Sequence, residues 1–154
     1  MGAALLFGGA ANAADLTIKQ VIEALRASGD KPADFAGKDL SFLDLSDLDF
    51  RHANLAGADL YGCDFSRSNL SGANLSGARL DRTIIIGTNF AGADLSRAML
   101  RRPAAFSTLE TRPEEAPNFT GANLTGAQIF GRLSHVEMAG ARLAGVRMGS
   151  DRNT

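Results

Sequence analysis

Six aspartates, Asp34, Asp39, Asp44, Asp49, Asp59 and Asp64, recur five or ten residues apart in the first half of the chain. Paired carboxylates are the equipment of general acid–base chemistry, glycoside hydrolysis above all. Every one of the six, however, stands one residue before a Leu or Phe. A slot filled that regularly serves backbone geometry, because short Asx side chains hydrogen-bond nearby backbone. His52 and His135 are the only histidines and Cys63 the only cysteine. A zinc site takes about four ligands on one spot, so no metal is expected. One cysteine cannot form an internal disulfide. Cys63 occupies a small-residue position like Ala58 and Ala73, which predicts a buried thiol, and neither histidine is placed to activate it. There is no Gly-rich phosphate loop, no H-E-x-x-H and no G-x-S-x-G, so neither catalysis nor a cofactor is expected.

These side chains ride on a repeat. From Ala33 to Arg102 the chain divides into fourteen blocks of five, among them KDLSF, LDLSD, ANLAG, CDFSR, SNLSG, TIIIG and ADLSR. Each block has Leu, Phe or Ile at its centre, and Asp or Asn just before the centre in eleven of the fourteen. A small residue usually stands two before the centre, and Gly recurs two after it. The period returns at Pro117 and continues through Leu124 and Ile129, slips by one residue, and resumes at Leu133, Met138, Leu143 and Met148. A period of five fits neither a helix nor a flat half-buried strand. Units this short cannot bury a core singly and must stack.

Residues 15–30 differ. Ile18, Val21, Ile22 and Leu25 form one apolar helical stripe. Thr17 and Gln20 make a capping box, Leu16 and Val21 occupy the staple positions, and Gly29 follows the last turn. The leader, residues 1–14, contains a short apolar stretch and then Ala11-Asn12-Ala13, a small-residue pattern that predicts secretory cleavage. A periplasmic or secreted location is therefore expected, a cytoplasmic one with a plain Ala/Gly tail being the alternative. No apolar run is long enough to span a membrane.

The repeat resembles the pentapeptide-repeat family, whose pattern is A-(D/N)-L-X-X, and the match covers residues 33–102 and 117–150. The resemblance implies an all-β solenoid: a right-handed quadrilateral β-helix with a short N-terminal capping α-helix, four blocks to a coil. Central side chains would form a core ladder of Phe50, Leu55, Leu60, Phe65, Leu70, Leu75, Leu80, Ile85, Phe90, Leu95 and Leu100. Residues 15–30 would cap the first coil. The solenoid would run over 31–102 and 117–150, leaving 151–154 as a tail. Residues 103–116, with Pro103 and Pro113, are expected to project as a loop whose Phe106 folds over Ile84 and Ile86, the alternative being an exposed apolar patch for a partner. The last coil would be bare, covered by its tail, or paired with a second copy, and a homodimer through that end is one expectation.

With about 20 residues per coil, Arg82 would lie under Arg102 and Asp81 under Arg101. Stacked like charges disfavour one another unless an anion joins them. Asp81, Arg82, Arg101 and Arg102 are therefore a candidate anion or partner patch. The alternative is a solvated face neutralised by Asp81, Glu114 or Glu115. The whole chain carries 16 basic and 17 acidic residues, net −1, but residues 30–65 hold eight acids against three bases and residues 66–154 seven against eleven. The stacked repeat, the absent catalytic constellation and the signal-like leader predict a non-enzymatic scaffold with a protein partner, and the near-neutral total gives no footprint for nucleic acid. One branch of the family, the quinolone-resistance proteins, implies a DNA mimic acting on a type II topoisomerase. The basic second half argues against it.

Overall fold

The computed structural model describes residues 14–105, 112–133 and 135–149. Each block is built from a local device. The Asp or Asn before the centre accepts, through Oδ1, the backbone N–H two residues on, as from Asp39 to Ser41 at 2.9 Å and from Asp94 to Ser96 at 2.9 Å. A tight turn follows, closed by bonds such as Ala53 N–H to Phe50 C=O at 2.9 Å. The residue two after the centre takes a positive φ, 66° at Gly37 and 66° at Gly77, which glycine adopts without steric cost. The chain thus turns a corner every five residues.

Four corners make one coil, and successive coils pair in parallel. Asp34 bridges Asn54, Asn54 bridges Asn74, and Asn74 bridges Asp94. The inserted segment then lengthens one coil, so that Asp94 meets Asn123, and the one-residue slip shortens the next, so that Asn123 meets Arg142. The longest paired segments are β1 (Met99–Arg101), β2 (Gln128–Phe130) and β3 (Arg147–Gly149), stacked in that order. Six rungs at ~4.8 Å make the rod about 24 Å long.

The core is the stack of central residues. Leu55, Leu75 and Leu95 occupy one column at successive rungs and are buried, as are Leu60, Leu80 and Leu100 in the next. Phe50, Phe65, Leu70, Ile85 and Phe90 fill the remaining sides. The phenyl rings pack edge-on between Phe50 and Phe65, with centroids 5.9 Å apart, and flat between Phe90 and Phe119 at 4.8 Å.

Helix α1 (Ile18–Ser28) closes the first coil. Its capping box is formed: Gln20 N–H donates to Thr17 Oγ1 at 3.3 Å, and Thr17 N–H donates to Gln20 Oε1 at 2.8 Å. Val21 is fully buried against the core. Just before the helix, Asp15 N–H donates to Asp39 C=O at 2.6 Å, and Asp39 N–H donates back to Asp15 Oδ2 at 2.8 Å. Those two bonds use backbone groups that would otherwise form an open sheet edge. No described helix is long and apolar enough to cross a membrane.

One expected boundary moves. The sequence pattern starts the projecting segment at residue 103, yet Ala104 bridges Ile84 and Ala105 is 2% exposed. The ladder therefore continues to Ala105. Pro103 is tolerated because its position, two before the centre, donates only to the local turn, as Ala53 does, and not to the next coil. Pro117 occupies the same kind of inward slot and is also buried. On the return side, Gly87 N–H donates to Glu115 C=O at 2.7 Å, after a 3-10 turn at Pro113–Glu115. Phe106 and Leu109 lie outside the described residues. At the far end, Leu143 is 42% and Met148 48% exposed. Met148 borders a cavity of about 570 Å³ lined also by Ile129, Leu133, Val136 and Met138.

Candidate functional site

The slot carboxylates are committed to the fold. Besides the amide two residues on, Asp34 accepts from Asn54 Nδ2 at 3.0 Å, and Asp94 from Asn123 Nδ2 at 3.1 Å. The Ser46 hydroxyl, 2.6 Å from Asp44, holds that carboxyl below its usual range. His52 and His135 take positive φ at outward corners and are exposed. Among the described residues no cluster of three His, Cys, Asp or Glu side chains could hold a metal ion. Cys63 is fully buried and its thiol donates to Leu40 C=O at 2.9 Å. Burial pushes its pKa up to about 12, far from a nucleophilic thiolate.

One outward face departs from this small, polar pattern. Asp81 and Arg101 sit on adjacent coils, in register through Arg82 N–H to Arg101 C=O at 2.8 Å. Asp81 is 4% exposed. Its Oδ1 accepts from the Arg101 backbone N–H and from Nε, both at 3.0 Å, and its Oδ2 from Arg101 Nη2 at 2.6 Å. Burial raises the Asp81 carboxyl, but the hydrogen bonds and charge of Arg101 outweigh it, and the net shift is downward. Arg82 and Arg102 occupy equivalent corners at φ 57° and 55°, both exposed. All four residues line one depression of about 320 Å³, bounded by Tyr61 and Phe130.

Sequence reasoning missed two members of this face. Arg79 stands in the slot that elsewhere holds Asp or Asn, twenty residues after Asp59, and its Nη1 lies 3.2 Å from Asp59 Oδ2. Its Nε also reaches Asp81 Oδ2 at 3.5 Å. The guanidinium carbon lies 4.4 Å from the centre of the Tyr61 ring. The signal was available: in ARLDR a base replaces the usual Asx. The second is Phe42, packed edge-on against Tyr61 with ring centroids 5.3 Å apart.

A family model for pentapeptide repeats matches eight copies over residues 33–72 and 63–102. The chain belongs to the pentapeptide-repeat family. Its coil is accordingly the right-handed quadrilateral β-helix of that family. Among solved structures it is similar to HetL, a pentapeptide-repeat protein involved in heterocyst differentiation regulation in the cyanobacterium Nostoc sp. strain PCC 7120. That likeness has 24% identity and a TM-score of 0.52, covering 76% of this chain and 60% of HetL. It is also similar to a pentapeptide-repeat protein of the Arabidopsis thaliana thylakoid lumen, with 23% identity and a TM-score of 0.34, covering 73% of this chain and 59% of that one. A third, alr5209 from Nostoc, has 28% identity and a TM-score of 0.42, covering 86% of this chain and 95% of that one. The pentapeptide-repeat chain thus spans about three-fifths of the length of the first two. A search of curated proteins finds no match.

Proposed function

We propose that this pentapeptide-repeat protein is a non-enzymatic scaffold that presents an outer face to a protein partner. The observation that carries the reading is the division of labour among its polar side chains. Among the described residues no buried side-chain N or O lacks a hydrogen-bond partner, so the interior polar groups are absorbed by the fold. On one exterior face Tyr61, Arg79, Arg82, Arg101, Arg102 and Phe130 gather around Asp81. Arg and aromatic residues are enriched where proteins recognise proteins. Export is part of the proposal. It is supported by Ala11-Asn12-Ala13, which only Ala14 separates from Asp15, the residue that ties the helix segment to the first coil.

The test places a photo-crosslinking residue at Ser71, Ser76, Ile86 or Arg101, one on each side of the rod, in cells producing the native reading frame. One side is expected to yield a recurrent protein adduct, and adducts from no side would refute the reading. N-terminal sequencing of the same material checks for cleavage before Ala14 or Asp15. A DNA-mimic role predicts protection of gyrase from quinolone in a supercoiling assay. The four arginines at 79, 82, 101 and 102 argue against that, since a surface imitating a polyanion gains nothing from clustered cations.

A further inference from the structure

The first coil has no coil before it, and its leading edge is only partly covered. Each block exchanges three backbone bonds with the coil that follows. In block 48–52, Leu48 C=O accepts from Asn69 N–H at 2.9 Å, while Phe50 and His52 N–H donate to Asn69 and Ser71 C=O at 2.8 and 3.1 Å. The repeat thus aims the slot N–H, the slot C=O and the C=O two residues on at the preceding coil. In block 38–42 the segment before α1 takes that coil's place. Asp15 N–H reaches Asp39 C=O at 2.6 Å, as a central residue would, and Asp15 Oδ2 accepts Asp39 N–H at 2.8 Å. In block 48–52 the equivalent groups are Asp49 N–H, Asp49 C=O and Arg51 C=O. Among the described residues none of the three has a hydrogen-bond partner. Both residues line a groove of about 520 Å³ between this block and the C-terminal half of α1, a volume in the ~300–1,000 Å³ range of ligand pockets. Half-buried Ile22, Leu25 and Leu48 give the groove an apolar wall.

We propose that this groove binds an extended, acidic segment of a partner protein by strand addition. The segment runs parallel to block 48–52, one rung or ~4.8 Å beyond it. One of its residues donates its N–H to Asp49 C=O, the residue two further on donates to Arg51 C=O, and the carbonyl two residues earlier accepts from Asp49 N–H. These are the bonds that coils exchange everywhere else in the rod. The first of those residues is apolar and turns in against Ile22, Leu25 and Leu48. The charge of the groove selects acidic neighbours for it. The Asp49 carboxylate is already held by Arg51, with Nε at 2.9 Å and Nη2 at 2.7 Å. That leaves Arg26 and Lys31 against Asp30, and none of these three side chains has an ion-pair partner among the described residues. Two cations facing one acid are complemented by a negative ligand. A nucleic acid strand lacks the regularly spaced N–H groups that the two open carbonyls call for. A second rod cannot stack here coil on coil, because α1 packs Val21 onto the core of the first coil; a single strand is not obstructed in this way. The inference rests on the scaffold reading and adds a docking site distinct from the face around Asp81.

The probe is a short fluorescein-labelled peptide carrying Ala-Asp-Leu-Asp-Gly, and binding to the full chain is read by anisotropy. Methylating the Leu nitrogen removes the N–H meant for Asp49 C=O and should weaken binding about five- to tenfold, the size of one hydrogen bond. Arg26→Glu combined with Lys31→Glu, both exposed positions, should weaken it about fivefold without unfolding the chain. Hydrogen exchange read by NMR reports the strand directly. The peptide should slow exchange of the Asp49 amide and leave that of Asp44, equally open in the neighbouring block, unchanged. No binding at millimolar peptide, equal affinity for the N-methylated peptide, or an Asp49 amide that exchanges as fast with peptide as without would each overturn the assignment. Protein adducts at Ser76, Ile86 or Arg101 together with no binding of the acidic peptide would keep the scaffold reading and sink the groove.

Discussion

Asp81→Asn tests whether the arginine face is held together by charge. Asn preserves size and one carbonyl oxygen, so the 3.0 Å bond from the Arg101 backbone N–H can persist. What goes is the negative charge and the second acceptor, which now takes the 2.6 Å bond from Arg101 Nη2 and the 3.5 Å contact from Arg79. Breaking a fully buried ion pair costs about 3–5 kcal/mol, and an exposed one about 0–1 kcal/mol. Here the carboxylate is buried, but the Arg101 side chain is 49% exposed, so the cost should fall between, about 2 kcal/mol. In a chain of this size that lowers the melting temperature by about 4–8 °C. The pH dependence has a definite sign. The folded Asp81 carboxyl lies below its ordinary value because Arg101 outweighs the effect of burial. The stability it contributes is therefore fully present above the unfolded value of about 3.9 and is lost as pH falls through the folded value. Urea denaturation of both proteins, followed by circular dichroism from pH 7 down to pH 2, should show curves that are separated at neutrality and converge in acid. A gap that persists undiminished at the lowest pH, or no gap at pH 7, would refute the argument.

Two further outcomes follow from the core. Leu75→Ala should cost about 3–5 kcal/mol, because Leu55 and Leu95 are held above and below it by the ladder and cannot close the cavity. Leu143→Ala, in the same column but 42% exposed, should cost less than half as much; equal losses in urea melts would contradict the stacked-column account. Cys63, its pKa pushed up to about 12, should resist iodoacetamide at pH 8 until the chain is unfolded. Cys63→Ser should cost under about 1.5 kcal/mol, since Ser68 occupies the equivalent slot one block later and donates to Leu45 C=O at 2.6 Å. Rapid native labelling or a larger loss would show that the site is not the closed slot described.

Much of the fold was legible because each block is a local device. An Asx that accepts the amide two residues on, a corner residue at positive φ and one aliphatic centre dictate a turn every five residues wherever the block occurs. The column of Leu55, Leu75 and Leu95 then follows from stacking identical turns. The capping box of Thr17 and Gln20 was equally legible, because its partners lie three residues apart. The pairing of Asp81 with Arg101 could be anticipated once the coil length was assumed.

The tertiary structure alone decided what depends on neighbours in other coils. Pro103 reads in sequence as a break, yet it continues the ladder because the N–H it lacks would have served only the local turn. Arg79 reads as an irregular slot residue, and becomes a bridge only when Asp59 below it, Asp81 beside it and the Tyr61 ring converge on one guanidinium. Phe42 reads as one more outward side chain, and its support comes from a glycine one coil away. Periodicity specifies backbone path and core because those arise from short-range bonds repeated without change. The face that could meet a partner arises from the exceptions to the repeat, and their meaning depends on which coils bring them together.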